Sequence, residues 1–318
     1  MIEINHLSRY YGDFKAVDDV SVNIQRGEVV GLLGHNGAGK STIMKMITGF
    51  LEQTLGSVCI DGWKTGDDKA AIQQRIGYLP ENCPVWPEMN VIEYLQYQAR
   101  LHGVQAGDLN QAVATAIRRT ELKEKASQSI QTLSRGYRQR VGVAQAILHN
   151  PDIIILDEPT NGLDPTQIRH MRGLIAELAE QATVIISTHI LQEVQAVCER
   201  VLILRAGKLV VDASLDALQS GHTLLIRLDN PEATGYLGQI EGVTSVQPRV
   251  DSEHHCYALT APAHIAPYVA DAVHRHGDKL YAMQAEVRDL EAVFAEVNQD
   301  DNSPYQTIIK PADSEGGI

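Results

Sequence analysis

Apolar and polar positions follow one rhythm up to about residue 220 and a different one after it. In the first fifty residues IEINHLS, VDDVSVNIQRG and EVVGLL predict strands, and the last runs into glycines and then the helical spacing of STIMKMITGF. A continuous apolar run entering a glycine loop implies a buried strand. SVCIDG and IGYLPEN are further short strand and turn pieces. From MNVIEYLQYQARLHG through AVATAIRRTELKEKA to RQRVGVAQAILHN, apolar residues recur at helical spacing, which predicts an all-helical insert over about 87–150. Strands return as DIIILDEP, TVIIST and RVLILRAGKLVV, separated by the helical TQIRHMRGLIAELAEQ and LQEVQAVCER. That alternation predicts an α/β layered domain with a mainly parallel sheet over 1–220. After it, LLIRL, ATGYLGQI, VTSVQPRV, CYALTA, HIAPYVADAVHRHG and LYAMQAEV run β, α, β, β, α, β, with a closing helix at DLEAVFAEV. The order predicts a small α+β, ferredoxin-like unit over 221–298, followed by a flexible tail over 299–318.

Composition narrows the partners. A formal charge of −13 over 318 residues, with no Lys/Arg run, opposes a nucleic-acid backbone as the main partner, because such affinity comes largely from cations that displace counterions. Cys59, Cys83, Cys198 and Cys256 are scattered, so neither a disulfide framework nor a zinc site is signalled. His254, His255 and Cys256 are adjacent on a strand and so alternate between its faces, which disfavours a metal. With no leader pattern and no long apolar run, a cytoplasmic protein is expected.

Chemistry concentrates in the first unit. GHNGAGKS, residues 34–41, fits the phosphate-loop pattern and lies between a buried strand and a helix, as the mechanism requires. Its glycines let backbone N–H groups turn onto phosphate oxygens, with Lys40 reaching the β and γ phosphates and Ser41 holding Mg²⁺. IIILDEP ends a central strand on two carboxylates: Asp157 suits Mg²⁺ through water, and Glu158 suits a general base on the attacking water. By themselves Asp157 and Glu158 are equally a turn before Pro159; after a phosphate loop they read as a site. His189, one strand further on in STH, would sit beside the γ phosphate, although a lone histidine at a strand end is more often structural. Tyr11 in RYYGDF either stacks on adenine or packs beneath a turn.

These motifs, in this order, resemble the ATP-binding subunit of an ABC transporter over residues 1–220. Tyr11, the loop Gly34, His35, Asn36, Gly37, Ala38, Gly39, Lys40, Ser41 with Thr42, then Asp157, Glu158 and His189, fall where that family binds ATP and Mg²⁺. The resemblance places Glu81 at the Q-loop position, where it would touch the metal partly through water, LSRGY at the signature and GLDP at the D-loop. It implies a head-to-tail homodimer in which Ser134, Arg135, Gly136 and Tyr137 of one subunit, with Asp164, complete the ATP site of the other. It also implies a separately encoded integral membrane permease, a location on the cytoplasmic face of the membrane and, from RVLILRAGKLVVDASLDAL with its accessory unit, the ABC-2 type exporter subfamily. Two positions depart from the family: LSRGY puts Arg135 and Tyr137 in place of a glycine and a glutamine, and Glu81 replaces a glutamine. Arg135 is expected to make dimer closure more dependent on the γ phosphate, and Glu81 to steepen the dependence on Mg²⁺. A soluble ABC ATPase acting on ribosomes or DNA, and a regulator without turnover, are the competing readings. The first is disfavoured by a single ATP domain and acidic charge, the second by intact Glu158 and His189.

Overall fold

A computed structural model describes residues 1–219, 223–249, 254–285, 290, 291, 294 and 295. The chain divides into two compact units, with the division between Ser214 and Leu215. In chain order the first unit contains β1 (Ile2–Tyr11), β2 (Phe14–Ile24), β3 (Val29–Leu33), α1 (Lys40–Ile47), β4 (Leu55–Ile60), β5 (Trp63–Lys64), α2 (Lys69–Gln73) and β6 (Ile76–Leu79). Then come α3 (Val91–Leu101), α4 (Leu109–Arg119), α5 (Arg135–Ile147), β7 (Ile153–Asp157), α6 (Pro165–Ala179), β8 (Thr183–Thr188), α7 (Leu191–Val197), β9 (Arg200–Arg205) and β10 (Lys208–Ser214).

Six strands form one sheet in the order β10-β9-β3-β8-β7-β6, with β10 antiparallel and the others parallel. All five residues of β3, all five of β7 and all six of β8 are buried, which is why each strand is built on an apolar run, with polar residues only at the ends of β7 and β8. A second sheet, β2-β1-β4-β5, is antiparallel throughout. The expectation of one mainly parallel sheet therefore describes only part of the unit. The apolar face of β1, β2 and β4 meets α1 and the parallel sheet in one core, where Ile2, Leu7, Met44, Met46, Ile60 and Ile155 have no exposed surface. Each such fully buried aliphatic side chain contributes about 1.5–3 kcal/mol.

Helix starts follow from local chemistry. At the head of α3, Asn90 accepts from Glu93 N while the Glu93 side chain accepts from Asn90 N. Asp164 caps α6 through Thr166 N and Gln167 N, both at 2.9 Å, and Pro165 occupies the first turn, where its missing N–H costs nothing. No helix among the described residues is long and apolar enough to cross a membrane.

The second unit holds α8 (Leu215–Gln219), β11 (Thr223–Leu228), α9 (Thr234–Leu237), β12 (Ser245–Arg249), β13 (His255–Thr260), α10 (Ala266–His276) and β14 (Leu280–Ala285). Its sheet order β12-β13-β11-β14, antiparallel at every step, is the split βαβ arrangement. Leu224, Ile226, Leu228, Leu259, Val269 and Val273 form a separate core. His254 stacks on Tyr281 at 3.8 Å between ring centroids and Cys256 is buried. Of the closing helix expected at 289–297, only 290, 291, 294 and 295 are described, as helical; the tail 299–318 lies outside the described residues.

Candidate active site

The C-terminal ends of β3, β8 and β7, adjacent in the sheet, deliver the loop, His189 and the paired carboxylates to one place. The loop after β3 is tightly determined. Gly39 has φ 107° as the N-cap of α1, and a Cβ there would meet Ala16 O at 2.7 Å, so only glycine fits. Ala38 is buried, His35 and Asn36 are exposed, and Ser41 and Thr42 are half-buried on the first turn of α1. The head of α1 carries no side-chain cap, whereas α3, α5 and α6 are capped by Asn90, Ser134 and Asp164. Its first-turn amides and the positive end of the helix dipole are therefore free to serve an anion.

Lys40 is buried, and its Nζ donates to Gly34 O at 2.7 Å and His35 O at 3.3 Å, 4.0 Å from Glu158 Oε1. Burial pulls its ammonium below the ordinary lysine range, while Glu158, Asp157 and Glu81 push it back up. Glu158 is held in turn from several sides. His189 Nδ1 lies 2.9 Å from Glu158 Oε2; Glu158 N donates to Ser187 O at 3.1 Å and Ser187 Oγ at 3.2 Å; Gln139 Nε2 donates to Glu158 O at 3.4 Å. Burial raises the Glu158 carboxyl above its ordinary range, with His189 and Lys40 opposing the shift and Asp157 adding to it. The Glu158 backbone sits at φ 51°, a left-handed conformation that side chains other than Gly, Asn and Asp rarely adopt. Ser187 Oγ also donates to Asp157, so one serine fixes both carboxylate residues.

Glu81 follows β6 at an exposed position, and its charge acts on Lys40 and Tyr78. Tyr11 lies at the β1–β2 turn, 50% exposed, with the Arg9 guanidinium 4.7 Å from the ring centroid. One face of the ring is thus covered, and burial beneath a turn is not what the geometry shows.

Ser134, Arg135, Gly136, Tyr137 and Asp164 gather in a second cluster on α5 and at the head of α6. Ser134 Oγ accepts from Tyr137 N at 3.4 Å as the α5 cap. A Cβ on Gly136 would meet Gln167 Oε1 at 2.4 Å, and one on Gly162 would meet the Arg135 guanidinium at 2.7–2.8 Å. The Lys125 ammonium and the Arg140 guanidinium lie 5.4 and 5.9 Å from the centroid of the Tyr137 ring.

Sequence reasoning missed Ser187 and Gln139, and also buried Glu193, which is gripped by the hydroxyls of Thr160 and Thr188. The available signal was STH itself: its serine immediately follows the apolar run of β8, where a small hydroxyl can reach the neighbouring strand.

A family model described as ABC transporter matches residues 17–161. The "ABC transporter ATP-binding protein NatA" of Bacillus subtilis (strain 168) is 38% identical over 224 residues, 69% of this chain and 91% of that protein. The chain belongs to the ABC transporter ATP-binding family. The "Linearmycin resistance ATP-binding protein LnrL" of the same organism is 28% identical over 302 residues, 92% of this chain and 97% of LnrL. A "dimeric structure of a post-hydrolysis state of the ATP-binding cassette MJ0796 bound to ADP and Pi" covers 68% of this chain and 99% of that cassette, at 26% identity and TM-score 0.63. Like other ABC ATP-binding subunits, this one is an ATP hydrolase that dimerises and works with a transmembrane partner.

Proposed function

We propose that this ABC ATPase hydrolyses ATP as a head-to-tail homodimer on the cytoplasmic face of the membrane, and drives export through a separately encoded permease. The observation that carries the catalytic part is the convergence of Lys40, Glu158 and His189 beside an uncapped helix head. Phosphates suit that helix head, with Gly34 to Thr42 wrapping them and Lys40 supplying charge. Ser41, Asp157 and Glu81 are hard oxygen donors, the set Mg²⁺ prefers, and would hold it partly through water. Bound Mg²⁺ supplies neutralisation of the phosphate oxygens. Glu158, its carboxyl raised by burial against the opposing pull of His189 and Lys40, takes the proton of the attacking water in its ionised form. His189 holds that carboxylate in place, and Tyr11 offers its uncovered ring face to adenine.

The second cluster has its cap, Ser134, and its cation, Arg135, at the head of α5, so in a head-to-tail pair it would close on the partner's γ phosphate, with Asp164 at the crossing. A partner protein is supported by a cleft of about 500 Å³ lined by Phe50, Tyr78, Pro84 and His102, with exposed Trp86 and Leu101 elsewhere on the unit. Export is favoured by the match over nearly the whole chain, second unit included, to a protein named for resistance. For this chain, work of that kind means moving a compound out of the cell.

Glu158→Gln tests the catalytic assignment. Loss of the base is expected to lower kcat by about 10²–10⁴ while ATP binding survives, so the variant should accumulate as an ATP-bound dimer in analytical ultracentrifugation. Wild-type turnover in that variant would refute the assignment, and failure of a membrane protein to copurify with the tagged chain would count against the permease.

A further inference from the structure

The side chain of Tyr78 combines three observations that the site described above does not use. Its hydroxyl is buried and has no hydrogen-bond partner; among the described residues it is the only buried hydroxyl in that condition. Buried hydroxyls are nearly always paired, because an unpaired one forfeits its hydration without replacement, so an exception calls for a physical account. Second, the strand register aims it. Tyr78 on β6 pairs with Ile155 on the parallel strand β7, and Asp157 lies two residues beyond Ile155 on the same face, so Tyr78 and Asp157 share one side of the sheet. Glu81 follows from the end of the same strand. Third, the half-buried ring packs against the core of the first unit and lies 5.8 Å from the Phe50 ring, on the wall of the apolar cleft.

We propose that Tyr78 is a positioning residue for ATP hydrolysis, whose hydroxyl donates through one water to the Asp157 and Glu81 carboxylates when nucleotide fills the loop. A phenol suits this task because it stays neutral: burial, reinforced by those two carboxylates, drives its ionisation far above the ordinary range, so it offers a proton-bearing donor at any working pH. A bridging water enters the proposal because neither carboxylate is a direct hydrogen-bond partner of the hydroxyl.

The inference rests on the ATPase reading, and Tyr78→Phe in the purified full chain tests it by two readouts. Phenylalanine keeps the ring and removes only the unpaired hydroxyl. The nucleotide-free variant is expected to melt at or a few degrees above the wild-type temperature, because a buried unsatisfied group is gone. In the same variant, at saturating Mg²⁺, kcat should fall about five- to twentyfold with KM for ATP within about twofold, because the hydroxyl positions the metal-holding carboxylates rather than the nucleotide itself. In the Glu158→Gln background, where turnover is suppressed, the Mg²⁺ concentration for half-maximal binding of a fluorescent ATP analogue should rise about threefold or more with Tyr78→Phe. Unchanged kcat and Mg²⁺ dependence would overturn the proposal, and so would a lower melting temperature or failure to fold, which would assign the hydroxyl a structural role. If the wild-type chain shows no ATP hydrolysis, the ATPase reading fails first; wild-type hydrolysis with an unaffected Tyr78→Phe variant refutes this inference alone.

Discussion

At the scale of single residues, Glu158 is governed by opposing influences of known sign. Burial raises its carboxyl and the His189 contact lowers it. A general base must be ionised, so turnover is lost as pH falls through the Glu158 pKa, which lies above the ordinary carboxylate value. Removing His189 takes away a lowering influence and should move that acid limb to higher pH. Single-turnover rates of His189→Gln across the mildly acidic range check this, and an unmoved limb would show that His189 does not act on the carboxylate. Much of this site was legible in the sequence because its residues are contiguous: the loop of 34–41 and the Asp157–Glu158 pair each carry their chemistry in one short run. Ser187 was not legible in the same way. Its role as a bridge between Asp157 and the Glu158 amide exists only once β7 and β8 lie side by side; STH places a hydroxyl at a strand end but does not say which strand it will face. Tyr11 stands between the two: the sequence left its role divided, and its exposure with Arg9 over one face resolves the packing question.

At the scale of elements, the heads of α5 and α6 are locked to each other. Gly136 lies against Gln167, whose side chain accepts from Asp164 N at 3.3 Å in the α6 capping box, and Arg135 lies across Gly162. An alanine methyl at 136 must displace Gln167 and break the reciprocal cap, at a cost of about 0.5–2 kcal/mol. Gly136→Ala should therefore lower the melting temperature in thermal unfolding. Adding Gln167→Ala should make little further difference, because the clash and the cap bond vanish together. Strictly additive losses would show that the two residues do not communicate. The elements themselves were largely readable from periodicity, including the β, α, β, β, α, β order of the second unit. What periodicity could not supply was the separate antiparallel sheet of β1, β2, β4 and β5. Pairing partners far apart in sequence, such as Ile2 with Ile60, leave no mark on local apolar spacing.

At the scale of the whole molecule, net charge and local charge pull dimer formation in opposite directions with salt. Two chains of −13 repel each other, and salt screens that repulsion, so added salt favours association. Arg135 facing a partner's phosphate would be an attraction that salt weakens. Arg135→Ala should therefore weaken ATP-driven dimers at low ionic strength and make their association rise more steeply with salt, as sedimentation of the Glu158→Gln background can measure. Parallel salt curves for the two proteins would exclude Arg135 from closure. The left-handed backbone at Glu158 has a consequence for anyone improving this molecule. Asparagine or glycine tolerates φ 51° at a saving of roughly 1–2 kcal/mol over a conventional side chain. A library screened only for heat resistance will thus enrich Glu158→Asn and Glu158→Gly, and hand back sturdier proteins that have lost the reaction. Selection for robustness and selection for work part company at that one peptide.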